Sequence, residues 1–236
     1  MRRIMTAILS NLQAIRLAIM RAAEVANRDP SGVHLLAVSK TFPAAAVREA
    51  YVAGQFAFGE NYVQEALQKI TELSDLPLEW HFIGPLQSNK TRVIAENFAW
   101  VHSVSNIKVA QRLSAQRPPN LPELNVCLQV NISGEASKSG AEPADLMQLA
   151  RVVAQLPRIK LRGLMAIPAP TEEVEMQREP FAKMKRLLNE LNNQGVSMDT
   201  LSMGMSHDFA SAIQEGSTII RIGTAIFGAR HYGERS

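Results

Sequence analysis

Several features that mark other classes of protein are missing or scarce in this chain of 236 residues. The single cysteine, Cys127, has no partner for an internal disulfide, so a reducing compartment is expected. No apolar run is long enough to span a membrane. The 25 basic and 22 acidic residues are scattered, without the basic, aromatic-interleaved patch of a nucleic-acid binder. These absences favour a cytoplasmic protein with neither nucleic-acid nor membrane partners.

The beginning of the chain has the pattern of an amphipathic helix. Apolar residues recur on one face from Ile4 to Ala22, with polar residues opposite, and Asp29-Pro30-Ser31-Gly32 ends the pattern. Residues 1–28 are therefore predicted to form a covering helix outside the main domain.

After this helix, strand signals alternate with helix signals throughout the chain. The predicted strands are Val33–Ser39, Gln55–Phe58, Leu78–Ile83, Trp100–Val104, Leu124–Ile132, Ile159–Ile167, Thr200–Met203 and Thr218–Ile222. Such alternation indicates right-handed crossovers and a parallel sheet, and eight units in about 200 residues suit a (β/α)8 TIM barrel. A doubly wound open sheet is the rival, weakened by the missing G-x-G-x-x-G fingerprint. Residues 1–236 are predicted to form one domain, because no linker divides them.

Lys40 stands where the first predicted strand ends. In barrels and open α/β sheets, the carboxyl edge of the strands carries the chemistry. A lysine against an apolar wall is partly desolvated, which lowers the pKa of its amine and lets it attack an aldehyde to form a Schiff base. The alternative is a strand-end lysine that extends to water and has no role.

Two later strand exits suit a phosphate group. Ser206 is predicted to cap the helix after the seventh strand, where its hydroxyl and the first backbone N–H groups can face an anion. Gly223 and Thr224 follow the eighth strand, where glycine permits close backbone approach. A plain cap and a plain turn are the alternatives, but phosphate sites after strands seven and eight recur in barrels.

Arg221 lies inside the apolar eighth strand and needs a partner, because an unpaired buried charge is costly. Facing outward, it could pair with a helix carboxylate; facing inward, it would donate to an acceptor in a ligand. An aldehyde-trapping lysine, a phosphate site and an inward arginine together suit pyridoxal 5′-phosphate (PLP).

Six segments resemble the pyridoxal phosphate homeostasis proteins, also called the YggS/PROSC-like family. They are AVSKT at 37–41, FGENYVQE at 58–65, WHFIGPLQSNK at 80–90, GLMAI at 163–167, LSMGMS at 201–206 and RIGTAIFG at 221–228. The resemblance runs from the first strand almost to the C-terminus, and no departure from the quoted motifs is seen.

The resemblance implies a single (β/α)8 barrel similar to the N-terminal domain of alanine racemase, which is fold type III among PLP proteins. It implies PLP as a Schiff base on Lys40 and Arg221 at the pyridine nitrogen. The phosphate contacts carried over are Ser206, Gly223 and Thr224, and the further pocket neighbours are Asn61, His81 and Met165. No metal ligand or catalytic residue is predicted.

An arginine at the pyridine nitrogen makes the PLP ring a weaker electron sink. The β-rich second domain that racemisation needs is also not expected, because the chain ends at Ser236. His81 could be a general acid or base, or simply a satisfied strand histidine. The expected function is a monomeric PLP carrier or regulator, with PLP-dependent apoenzymes as possible acceptors. A PLP-dependent racemase or decarboxylase and a barrel for a phosphorylated sugar are the alternatives.

Lys138 is a competing lysine in a long polar loop, which could contact PLP or take part in its transfer.

Overall fold

Eight parallel strands pair in sequence order and close into a barrel in the computed structural model, which describes residues 2–134 and 139–229. The strands are β1 His34–Val38, β2 Ala57–Glu60, β3 Glu79–Phe82, β4 Trp100–Val104, β5 Leu124–Gln129, β6 Ile159–Met165, β7 Thr200–Ser202 and β8 Ile219–Ile222. The last strand pairs with the first, in a register that joins His34 to Ile219 and Ala37 to Ile222. This closure confirms the barrel and excludes the open doubly wound sheet.

Helices surround the strands. They are α1 Arg2–Val25, α2 Ala44–Val52, α3 Val63–Glu72, α4 Thr91–Asn97, α5 Ile107–Gln116, α6 Leu146–Ala154, α7 Val174–Asn193, α8 Phe209–Gln214 and α9 Thr224–Phe227. Short 3-10 turns precede β1, α4 and α6, at Pro30–Gly32, Ser88–Lys90 and Pro143–Asp145. In the part of the chain that is described, no helix is both long and apolar enough to cross a membrane.

The opening helix α1 completes the outer layer. It packs against α2 on one side and against α8 and α9 on the other. Arg16 donates to the carbonyls of Ala53 and Gly54 after α2, at 2.9 and 2.7 Å. Asn11 donates to the carbonyl of Ile226 in α9 at 2.9 Å. Because α9 has only four residues, α1 covers the part of the barrel that a full eighth crossover helix would cover.

The strands separate two apolar layers, because successive side chains point to opposite faces. Outward residues such as Phe58, Phe82 and Val126 pack under the helices in the larger core cluster. The inward cluster fills the barrel itself and consists of Leu36, Val38, Ile83, Trp100, Cys127, Met165 and Ile219.

Some predicted boundaries are wrong, although every predicted strand exists. β5 ends at Gln129 rather than Ile132, and β6 ends at Met165 rather than Ile167. Both apolar runs continue past the last ladder pairing, so composition alone extends the strand too far. The short helix α9 was not predicted. That residues 1–236 form one domain stays a prediction.

Candidate functional site

A cavity of about 220 Å³ opens at the carboxyl ends of the strands. Six of the residues singled out in the sequence line it: Lys40, Asn61, Ser206, Arg221, Gly223 and Thr224. Apolar side chains, among them Val38, Phe42 and Ile83, form the rest of its wall together with His207. The barrel therefore brings together residues that lie up to 184 positions apart in the sequence (224 − 40).

Lys40 reaches this cavity from a tight turn that follows β1. The Ser39 amide donates to Gly59 O at 3.0 Å, which extends the pairing of β1 with β2 by one residue. The Phe42 amide then donates back to Ser39 O at 3.0 Å and closes the turn. Thr41 within it has a φ of 70°. This left-handed conformation is unfavourable for a β-branched residue, so the surroundings must hold it.

A group of charges, of which Glu60 and Lys69 are buried, holds both residues that flank Lys40. The Lys69 ammonium donates to Ser39 O at 2.7 Å, to Glu60 Oε1 at 2.7 Å and to Glu65 Oε1 at 2.6 Å. The same Glu65 oxygen accepts the Thr41 amide at 2.6 Å. We call Glu60, Glu65 and Lys69 the turn clamp, because they connect β2 and α3 to the Lys40 turn.

Burial is the largest influence on the Glu60 carboxyl of the turn clamp. Glu60 is fully buried, and desolvation raises the pKa of its carboxyl, although Lys69 and the Ser39 hydroxyl, 2.6 Å from Oε1, act in the opposite direction. Sequence reasoning did not identify Glu60 and Lys69 as positioning residues. A signal was present, since Lys69 follows Glu65 by four positions on a helix.

Asn61 follows β2, lines the cavity and has an unsatisfied polar atom. Its Oδ1 is buried and has no hydrogen-bond partner among the described residues. The loop after β3 packs directly on its backbone, because a Cβ at Gly84 would overlap the Asn61 carbonyl. The Ser103 hydroxyl fixes this loop by donating to Gly84 O at 2.6 Å. A partnerless amide oxygen on a residue that lines a cavity is a candidate acceptor for a ligand donor.

Arg221 is buried and points into the barrel from β8, as one of the two sequence alternatives expected. Its Nη1 donates to the Ser202 carbonyl at 2.6 Å and to the Ser202 hydroxyl at 2.8 Å, and its Nη2 donates to Ala166 O at 2.9 Å. Burial lowers the pKa of the guanidinium to about 10, so Arg221 stays cationic at neutral pH. These acceptors satisfy three of the five N–H bonds of an arginine.

The exits of β7 and β8 supply small and hydroxyl-bearing residues. Ser206 lies in the turn before α8, but the cap of that helix is Asp208, so the predicted capping role of Ser206 is wrong. The Asp208 carboxylate accepts the Met205 amide at 2.6 Å and thereby shapes the turn. At Gly223 a Cβ would come within 3.1 Å of Val38 O, so the exits of β8 and β1 approach closely there.

The structure does not place His81 or Met165 among the residues that line this cavity, and their role as pocket neighbours of a ligand stays a prediction. Inward positions recur every second residue along a strand. On β3 the inward residue that reaches the cavity is Ile83, two positions beyond His81. Likewise, Ile167 lines the cavity, whereas Met165, two positions before it, is fully buried in the inward cluster. His81 instead lines a cavity of about 920 Å³ whose other walls come mainly from the amino-terminal ends of the strands and from α1.

Lys138, the competing lysine of the sequence analysis, lies outside the described residues. Among the described residues, Lys40 is the lysine that lines the cavity.

Comparisons with known proteins agree with this fold. The family model described as alanine racemase, N-terminal domain, matches residues 10–231. The chain is similar to the pyridoxal phosphate homeostasis protein of Pseudomonas aeruginosa, with 63% identity over 97% of this chain and 98% of the relative. It is also similar to the protein of that name from Escherichia coli K12, with 53% identity over 98% of this chain and 100% of the relative. Among solved structures, PipY of Synechococcus elongatus, solved with PLP bound, has 41% identity and a TM-score of 0.81, covering 94% of this chain and 100% of PipY.

Proposed function

Since the chain belongs to the pyridoxal phosphate homeostasis protein family, whose barrel is that of the alanine racemase N-terminal domain, we propose that it binds PLP as a Schiff base on Lys40 and buffers or delivers it within the cell. The observation that carries the proposal is the convergence of Lys40 and Arg221 on one cavity. A PLP-bound relative of similar fold supports it.

The chemical groups of the cavity suit those of PLP. The cofactor offers an aldehyde, a phosphate, a ring nitrogen and a phenolic oxygen. An amine at Lys40, hydroxyls at Ser206 and Thr224, and a guanidinium at Arg221 match the first three. The unsatisfied Asn61 Oδ1 offers one more polar contact. When bound, PLP would supply the aldehyde carbon to which the Lys40 nitrogen bonds.

The charge on Arg221 favours holding PLP over turning over amino acids. With a pKa of about 10, the guanidinium keeps its protons at neutral pH and can only donate hydrogen bonds. A ring nitrogen that accepts from such a group remains unprotonated, and an unprotonated ring withdraws electrons weakly. We therefore propose a carrier or regulator without robust catalysis, for which PLP-dependent apoenzymes would be the acceptors. A monomeric state and a cytoplasmic location remain predictions.

Absorbance and reductive labelling test the proposal. The purified protein, incubated with PLP, is expected to absorb in the visible range, and borohydride should fix a pyridoxyl group on the peptide that contains Lys40. Lys40→Ala should abolish the label, whereas Lys160→Ala, which changes an exposed lysine on β6, should not. Lys138→Ala tests the competing lysine in the same way. A colourless protein without label after incubation would refute the Schiff base and favour a site for another phosphorylated ligand.

Loss of the α-proton of added amino acids in deuterated buffer separates the carrier from a PLP-dependent racemase. A carrier should exchange this proton no faster than free PLP does. Exchange that is many-fold faster and is lost in Lys40→Ala would instead identify an enzyme.

A further inference from the structure

A line of hydrogen bonds crosses the interior of the barrel, from the cavity at the amino-terminal ends of the strands to Arg221 at the opposite cavity. Glu79 Oε1 lies 2.8 Å from His81 Nε2, and His81 Nδ1 lies 2.9 Å from His102 Nε2. His102 Nδ1 lies 2.8 Å from the Ser202 hydroxyl, which is 2.8 Å from Arg221 Nη1. We call these five residues the barrel chain. It connects β3, β4, β7 and β8, which no local sequence pattern relates.

The interior members of the barrel chain are almost inaccessible to water. His102 and Ser202 are fully buried, and His81 and Arg221 are 3% and 4% exposed. Trp100 stacks on His81, with ring centroids 5.3 Å apart and an angle of 4° between the planes. At the far end, the Glu79 side chain is half exposed. Polar groups in such an interior need partners within it, because an unmade hydrogen bond costs the full desolvation of the group.

The two ends of the barrel chain determine its direction. Arginine has only donors and a carboxylate has only acceptors. Burial lowers the pKa of both histidines, so each is neutral and has one donor and one acceptor nitrogen. Arg221 then donates to Ser202, Ser202 donates to Nδ1 of His102, and Nε2–H of His102 donates to Nδ1 of His81. The remaining His81 Nε2–H donates to Glu79, whose pKa is lowered mainly by that hydrogen bond.

No other pair of neutral tautomers satisfies every contact. With the proton of His102 on Nδ1, Ser202 would lose its acceptor, and two lone pairs would face each other across 2.9 Å between the histidines. With the proton of His81 alone moved to Nδ1, two N–H groups would meet at the same place, and Glu79 would lose its donor. With both protons on Nδ1, the histidines would still pair, but the lone pair of His81 Nε2 would face the Glu79 carboxylate. One proton arrangement is therefore selected from end to end.

We propose that His102, acting through Ser202, is a positioning residue for Arg221, and that the barrel chain fixes how the guanidinium presents its remaining N–H bonds to the ligand cavity. The hydroxyl of Ser202 can accept from Arg221 in this orientation because its own proton is committed to His102. The part that concerns the ligand rests on the proposed function. The alternative is that the histidines only pack against Trp100 and have no effect on the orientation of the Arg221 guanidinium.

Histidine nitrogen NMR on the ¹⁵N-labelled protein, prepared without PLP, tests the direction of the chain. Both rings are expected to be neutral, with protonated Nε2 and unprotonated Nδ1, at pH 7.5. Assignment uses His81→Asn and His102→Asn, which remove one set of signals each. A protonated Nδ1 on either ring would overturn the proposal, because the chain from Arg221 to Glu79 would then be broken.

A pair of serine variants tests the effect on the ligand. Ser202→Ala removes the hydroxyl that connects Arg221 to His102, whereas Ser114→Ala removes a buried hydroxyl that donates to Pro157 O on the outer layer. Ser202→Ala is expected to release PLP about tenfold faster and to shift the visible band of the loaded protein, since one hydrogen bond to a charged group is lost. Ser114→Ala should change neither. Ser202→Thr, which restores the hydroxyl, should recover the wild-type band.

The outcomes distinguish this proposal from the proposed function. Equal PLP release and equal spectra for Ser202→Ala and Ser114→Ala would overturn the positioning role. If the wild-type protein takes up no PLP, the proposed function fails, and the histidine tautomers alone then decide whether the barrel chain exists as described.

Discussion

Replacing Lys69 by methionine should lower the free energy of unfolding by more than a substitution on an outer helix usually does. The change keeps a long apolar side chain but removes the ammonium that donates to Ser39 O, Glu60 and Glu65. Glu60 would then be a fully buried carboxylate whose remaining donor is the Ser39 hydroxyl. Removing one partner of a buried pair typically costs about 3–5 kcal/mol. This is a large part of a total stability of about 5–15 kcal/mol.

The loss should depend on pH. The pKa of Glu60 is already raised by burial, and removing Lys69 raises it further. A carboxyl with a raised folded pKa contributes stability at low pH that is lost as the pH rises through that pKa. The deficit of Lys69→Met should therefore be about 4 kcal/mol at pH 8 and smaller at pH 5.5, because a lower pH favours the protonated, neutral form of the Glu60 carboxyl.

Urea unfolding at the two pH values measures this deficit. Arg48→Met is the matched control, because its ion pair with Asp75 is exposed, and little change is expected. The double variant Glu60→Gln with Lys69→Met removes both charges and should recover most of the loss. A deficit below about 1 kcal/mol, or an equal deficit at both pH values, would refute the turn clamp as an ionic device.

Three further predictions concern the cavity and the barrel interior. Gly84→Ala should lower the free energy of unfolding by about 2–3 kcal/mol and weaken PLP binding, because the new Cβ would overlap the Asn61 carbonyl. Urea unfolding and PLP titration measure the two effects. The control Gly32→Ala, which has open space at its Cβ, should show neither effect. Cys127 should not react with a thiol reagent at pH 8 until the protein unfolds, since burial raises the pKa of its thiol to about 12, and rapid labelling of the folded protein would contradict this. Ser206→Ala should weaken PLP binding by about tenfold or more through loss of a phosphate contact while the borohydride label stays on Lys40, and an unchanged Kd would remove Ser206 from the site.

Sequence patterns were sufficient for the order of elements and for much of the site. Lys40, Ser206 and Gly223 could be found because each lies within four residues of the end of a strand, and the carboxyl ends of parallel strands meet at one edge. Arg221 could be singled out because a charge inside an apolar strand needs a partner, but the pattern left its direction open. The structure selects the inward direction, where Ser202 and Ala166 accept its hydrogen bonds.

The depth of His81 in the barrel could not be predicted from the sequence. The family resemblance implies that His81 is a pocket neighbour, whereas in the structure it lies one inward position deeper than Ile83 and lines the opposite cavity. Depth along a barrel depends on the stagger between neighbouring strands, which local sequence does not record. Lys69 was overlooked for a related reason, because a lysine on an amphipathic helix is normally expected in solvent.

The sequence by itself determined the alternation of eight strands and eight longer helices, the residues at the strand exits and the family resemblance, because apolar periodicity and turn residues act over a few positions. Only the tertiary structure decided which distant residues meet. Closure of β8 onto β1 and the use of α1 as an outer helix join the two ends of the barrel. The turn clamp and the barrel chain likewise depend on strand register and on the inward or outward facing of each residue. Their contacts join residues from 2 to 100 positions apart, and the closed barrel removes most of those side chains from water.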